Sequence, residues 1–102
     1  MGLLSRKTED AGDGKVVKVL TVLNRLGLHA RPSAMLVKAC SRFKCEIWVA
    51  KDGERVNGKS IMGLMMLAAG PGSKLEVSCE GSDAGRAMEE IEAIVLRKFD
   101  ED

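Results

Sequence analysis

The chain has a single histidine, His29, embedded in "NRLGLHARPSA", residues 24–34. Arg31 follows two residues on, and Pro32 comes next. A proline is tolerated in the first turn of a helix, where its missing N–H would have no intrahelical acceptor anyway. That reading makes His29 the N-cap of a helix. First-turn amides point beyond the helix end, and together with the dipole they favour an anion there. The same field disfavours a second proton on the imidazole, so a neutral, nucleophilic ring is expected. Arg31 offers a planar fork to phosphoryl oxygens. Amides and guanidinium together would stabilise the charge that develops if the ring attacked phosphorus. The rival reading is a surface histidine in a loop. A metal site would need further ligands near His29, and none is marked; no metal and no cofactor are expected. A Ser-His-Asp hydrolase would need an acid and a nucleophile elbow, and nothing in the sequence places an acid beside the ring.

The segments around this histidine decide where it points. "KVVKVLTV" (15–22) is rich in β-branched residues and reads as a strand. "HARPSAMLVKACSRF" (29–43) carries Leu36, Val37, Cys40 and Phe43 at helical spacing. "CEIWVAK" (45–51) alternates, with Cys45, Ile47 and Val49 on one face, and Asp52-Gly53 is a hairpin signal leading into "ERVN" (54–57). "SIMGLMML" (60–67) is a short apolar helix with Ser60 as N-cap, stopped by "AAGPGS". "KLEVSCE" (74–80) alternates again, with Leu75, Val77 and Cys79 inward. "SDAGRAMEEIEAIVLRKF" (82–99) opens on capping residues and places Ala84, Met88, Ile91, Val95 and Phe99 on one helical face. The order is β-α-β-β-α-β-α. It predicts an α+β fold, a small antiparallel sheet with helices packed on one side. Residues 1–14 are polar and glycine-punctuated and read as a flexible extension before a domain over 15–102.

"GERVNGKS" (53–60) fits the P-loop pattern letter for letter, with Lys59 in the phosphate-binding slot. A P-loop domain needs a parallel sheet and an acidic residue ending a second apolar strand. After Ser60 comes one strand candidate, with no such acid, so nucleotide binding is not expected.

Composition narrows the classes further. The 102 residues suit one core, with 45% apolar and 30% charged residues. A formal charge of +1 and three aromatic residues, none of them tyrosine, argue against nucleic acid or an anionic membrane as partner. Cys40, Cys45 and Cys79 form neither a CxxC nor a Cys/His cluster and read as small buried hydrophobes in a reducing, cytoplasmic setting. Without a signal peptide or a spanning segment in the sequence, a membrane is not expected as partner.

Together, "GLHARPSA" and "VNGKSIMGLMML" strongly resemble the histidine-containing phosphocarrier proteins, the HPr family of the bacterial phosphotransferase system. The resemblance covers roughly residues 15 to 99, with both motifs in order; "GKSIMGLMMLAAG" looks more like the nitrogen-related branch than the sugar branch. It implies an open-faced β-sandwich, a four-stranded antiparallel sheet covered on one face by three helices, and a carrier rather than an enzyme: His29, through Nδ1, takes phosphate from enzyme I and passes it to an enzyme IIA. Arg31 would stabilise the phosphate. It also implies that Ser60 is a target of an HPr kinase/phosphorylase, a role compatible with capping its helix. Ile61, Met62 and Met65 are then either core or a docking surface, for which methionine's adaptability is suited. Ala30 and Ala34 would let a partner approach the ring. A monomer with one free face is expected. The alternative function is a regulatory interaction module controlled by phosphorylation of Ser60.

Overall fold

The computed structural model describes residues 14–101. The extension expected over residues 1–14 lies outside the described residues apart from Gly14. The elements are β1 (Lys15–Thr21), α1 (Ala30–Cys40), β2 (Glu46–Lys51), β3 (Glu54–Asn57), α2 (Ile61–Met66), β4 (Lys74–Glu80) and α3 (Ala84–Leu96), followed by a tight turn, Lys98–Asp100. The strands form one antiparallel sheet in the order β1-β4-β2-β3. β4 therefore pairs on both edges, and its alternation sets Leu75, Val77 and Cys79 on the covered face of the sheet. Asp52 and Gly53 take positive φ angles of 52° and 85° and close the β2–β3 hairpin.

The helices cover one face of the sheet, α3 against β1 and β4, with α1 packed on both α2 and α3. Between the layers lies a continuous core that includes Leu36, Ile47, Val49, Leu64, Val77, Met88 and Ile91. Asp83, at the start of α3, accepts the amides of Lys44 (2.8 Å) and Cys45 (2.9 Å). These bonds hold its carboxyl below the usual range and pin α3 to the α1–β2 connection.

Cys40, Cys45 and Cys79 are free and buried, as small hydrophobes should be. Burial pushes the thiols up, Cys40 and Cys79 to about 12 and Cys45 to about 11, the last helped by its hydrogen bond to Asp83. Thiolate is the reacting form, so the native protein should resist alkylation at neutral pH. All three thiols should label once the chain is denatured. Fast labelling of the native protein at any of them would contradict this packing.

The end of α3 departs from expectation. The predicted helix ran to Phe99, but regular helix stops at Leu96. Lys98, Phe99 and Asp100 then take φ angles of 58°, 55° and 59°, three consecutive non-glycine residues in the left-handed region. Each such residue costs roughly 1–2 kcal/mol. Phe99 is 1% exposed, so it joins the core as predicted, but from a left-handed turn rather than from the helix face. Its burial, worth about 2–3 kcal/mol, offsets part of that strain. The turn reverses the chain and carries Glu101 back towards the start of α1.

Candidate functional site

His29 is the N-cap of α1, with extended backbone (φ −78°, ψ −170°), and its carbonyl accepts the Ser33 amide at 3.1 Å. Its side chain makes no capping bond, which leaves the ring free for other work. With Pro32 in the first turn, the amides of Ala30 and Arg31 are the ones that precede the first helical acceptor and point out of the helix end.

The loop in front of His29 is held tightly. Val22 and Gly72–Ser73 exchange two backbone bonds, and the Leu28 amide donates to the Ala69 carbonyl at 2.8 Å. That contact also ties the ring's loop to the connection that follows α2. Gly27 passes at φ +70° so close to Ala69 that a Cβ there would lie 2.2 Å from the Ala69 carbonyl oxygen. Ser33, fully buried, returns its hydroxyl to the Leu28 carbonyl at 3.2 Å.

An acid does stand beside the ring, contrary to what the sequence indicated. Glu101 places Oε2 at 3.0 Å and Oε1 at 3.3 Å from His29 Nε2. The side chain of Asn24, entirely buried, holds that carboxylate: Nδ2 donates to Glu101 Oε1 at 3.0 Å and to the Gly27 carbonyl at 2.8 Å. The bond from Asn24, then the bond and charge of His29 and the charge of Arg31, lower the Glu101 carboxyl below its ordinary range despite desolvation. A carboxylate on Nε2 favours the tautomer with its proton there, which leaves the lone pair on Nδ1. The surrounding cleft is lined by Arg25, Leu26, His29, Arg31, Asp100 and Glu101, so both cationic and acidic side chains surround the ring.

Asn24 and Glu101 escaped the sequence reading. Glu101 sits in an acidic tail, "DED", whose approach to His29 depends on a left-handed turn without glycine. Its one signal is the apolar Phe99 two residues earlier. Asn24 gives no signal by type or spacing, since an asparagine in a loop a few residues ahead of a glycine reads as a surface turn residue.

The second motif lies beside the first. Ser60 caps α2, its Oγ accepting the Gly63 amide at 3.0 Å. Leu64 and Leu67 face the core, whereas Ile61 and Met65 are 42% exposed, Met66 64% and Met62 72%. The question of core against surface is thus answered for these side chains, and Met66 extends the patch. Ala30 and Ala34 are exposed on α1. Lys59 is not poised as a P-loop lysine, because its Nζ donates to the Phe43 carbonyl at 2.8 Å and the surrounding sheet is antiparallel throughout. Among the described residues, no group of three or more His, Cys, Asp or Glu side chains could hold a metal ion. No helix among them is long and apolar enough to cross a membrane.

Known proteins resemble this chain in sequence and fold. Residues 16–96 match the family model described as the PTS HPr component phosphorylation site. The phosphocarrier protein HPr of Treponema pallidum (strain Nichols) is 52% identical over 87 residues, covering 85% of this chain and 99% of the relative. The HPr-like protein Crh of Halalkalibacterium halodurans is 48% identical over 83 residues, covering 81% and 99%. Among solved structures, HPr-C-His from Thermoanaerobacter tengcongensis superposes with a TM-score of 0.82 at 39% identity, covering 85% of this chain and 98% of that one.

Proposed function

This chain belongs to the HPr family of phosphocarrier proteins, and on that premise we propose that His29 is its transient phosphoryl acceptor. The phosphoryl group comes from phosphorylated enzyme I and goes on to an enzyme IIA of the phosphotransferase system, in the cytoplasm. The observation that carries this reading is the single histidine at the N-cap of α1, its Nε2 engaged by Glu101 and its other nitrogen unencumbered by any capping bond.

The chemistry follows from the parts. The Nδ1 lone pair attacks phosphorus, and the bond to the donor breaks with its electron pair leaving on the donor. The Ala30 and Arg31 amides and the Arg31 guanidinium face the charge on the phosphoryl oxygens. The chain supplies a nucleophile and a cradle, and its membership of a phosphocarrier family supports a carrier rather than an enzyme. Ile61, Met62 and Met65, with Ala30 and Ala34, form the docking surface beside the ring, apolar and adaptable enough to meet successive partners.

Arg31→Ala should slow acceptance roughly ten- to a hundredfold without abolishing it, since the amides and the nucleophile remain. Rapid-quench measurement of transfer from phosphorylated enzyme I reads this directly, and an unchanged rate would remove Arg31 from the mechanism. The relay itself is tested by adding a IIA protein to the isolated phosphorylated chain. Label should leave His29 and appear on the IIA protein. Label that stays on the chain until it hydrolyses would count against a carrier.

A second reading draws on Ser60, which caps α2 at the border of the exposed methionines. A phosphate there sits at a helix N-terminus, which the fold accommodates, while adding charge at the edge of the docking surface. An HPr kinase/phosphorylase would then control which partners the chain meets; the existence of a relative named only as HPr-like, Crh, supports looking for such a variant role.

A further inference from the structure

We propose that Glu101 is a positioning residue for phosphoryl transfer: anchored by buried Asn24 and delivered by the left-handed turn, its carboxylate keeps the ring proton of His29 on Nε2 and leaves Nδ1 as the acceptor. The proposal rests on the carrier reading of His29. Three observations carry it.

The first is the chain of bonds. Asn24 spends both amide hydrogens, one on the Gly27 carbonyl in the loop that leads to His29 and one on Glu101 Oε1. Glu101 in turn holds His29 Nε2 through Oε2 at 3.0 Å. The second is the orientation of Asn24. Its Oδ1 is buried without a hydrogen-bond partner. Turning the amide over would set that oxygen against the Gly27 carbonyl and the carboxylate, so the side chain is oriented for its donors at the expense of its acceptor. A buried amide held this way is a fixed post for the carboxylate. The third is the turn itself. Lys98, Phe99 and Asp100 adopt left-handed conformations that none of them prefers, locked by the buried Phe99 ring and by the Asp100 and Glu101 amides donating to the Arg97 and Lys98 carbonyls. Strain of this kind persists where surrounding structure over-determines it, and here its product is the placement of one carboxylate. The turn and Glu101 lie beyond residues 16–96, the part of the chain that matches the family model.

The arrangement has a chemical consequence. When Nδ1 attacks, the N–P bond forms, the bond to the donor breaks with its pair on the donor, and the ring becomes a phosphorylated imidazolium still carrying its proton on Nε2. Glu101 balances that positive charge. When the phosphoryl group leaves, the N–P electron pair returns to Nδ1, and the same proton is still on Nε2. No proton has to move in either direction, as a reversible relay requires.

Nitrogen-15 spectroscopy of the His29 ring in the full chain tests this without any phosphoryl donor. The native protein should show Nε2 protonated and Nδ1 unprotonated when the ring is neutral, with a slowly exchanging Nε2 proton. In Glu101→Ala that proton should exchange freely and the ring should relax towards the mixture of tautomers seen in free histidine, while Glu101→Gln, which keeps a neutral acceptor, should fall between. Acceptance from phosphorylated enzyme I should slow on the order of ten- to a hundredfold in Glu101→Ala, by analogy with losing the outer partner of a metal-bound imidazole, and recover in part in Glu101→Gln. Unchanged melting temperatures would separate positioning from folding. A proton on Nδ1, or ring signals indifferent to Glu101→Ala, would overturn the proposal whether or not the chain carries phosphate. A chain whose ring behaves as expected but that accepts no phosphate would overturn the carrier reading and the catalytic half of this proposal with it.

Discussion

Replacing Gly27 with alanine should destabilise the protein by about 3 kcal/mol or more and take phosphoryl acceptance down with it. The new Cβ would stand 2.2 Å from the Ala69 carbonyl oxygen and 2.8 Å from Gly70 Cα, at a φ of +70° that an alanine strongly disfavours. Neither side can give way cheaply. The same Ala69 carbonyl accepts the Leu28 amide, and the Gly27 carbonyl accepts both Asn24 Nδ2 and the His29 amide. Displacing Gly27 therefore moves the N-cap of α1 and the post that holds Glu101 at once. Denaturant titration reads the stability, and an unchanged midpoint would mean that the loop before His29 is far looser than this packing.

His29→Ala carries the opposite signature, complete loss of acceptance with the fold kept. The ring is 36% exposed at its side chain, lies outside the core and makes no capping bond. Its backbone bonds, amide to the Gly27 carbonyl and carbonyl from the Ser33 amide, survive in an alanine. The one side-chain bond lost is the partly exposed one to Glu101, so the change in stability should stay within about 1 kcal/mol. Because the chain has no second histidine, no neighbouring imidazole can take over. Retained acid-labile phosphorylation in this variant would remove His29 from the mechanism.

These two residues lie only two positions apart, and they illustrate what the sequence could and could not disclose. The place of the histidine at the N-cap of α1 was legible because local signals converge on it: a proline in the following turn and an arginine beside it. The sheet was legible for a similar reason. Alternation in "CEIWVAK" and "KLEVSCE" depends only on which face each residue buries, and those faces match the core. Ser60 as a cap and Asp52-Gly53 as a hairpin are likewise local geometry.

What escaped was long-range. Glu101 is 72 residues from His29, and the path between them turns on backbone angles that Lys98, Phe99 and Asp100 do not advertise. Helical periodicity counted Phe99 correctly as core but carried α3 past its true end, because a buried aromatic ring satisfies the pattern from either hand of turn. The methionines of α2 could not be assigned from composition either. A short helix needs only one apolar face, and Leu64 and Leu67 supply it, leaving Ile61, Met62, Met65 and Met66 outside. The surplus of apolar side chains over what the core could use is what identifies the surface as a candidate docking face.

The central claim is tested most directly by intact mass. The protein is incubated with phosphoenolpyruvate, magnesium and enzyme I, from the sugar and the nitrogen-related branches in separate tubes, and weighed before and after mild acid. The account predicts a gain of a single phosphoryl group with at least one enzyme I, stable in base, removed by acid and mapped to Nδ1 of His29. No gain with either enzyme I, each shown to be phosphorylated in the same tube, or a gain that acid leaves in place, would contradict it.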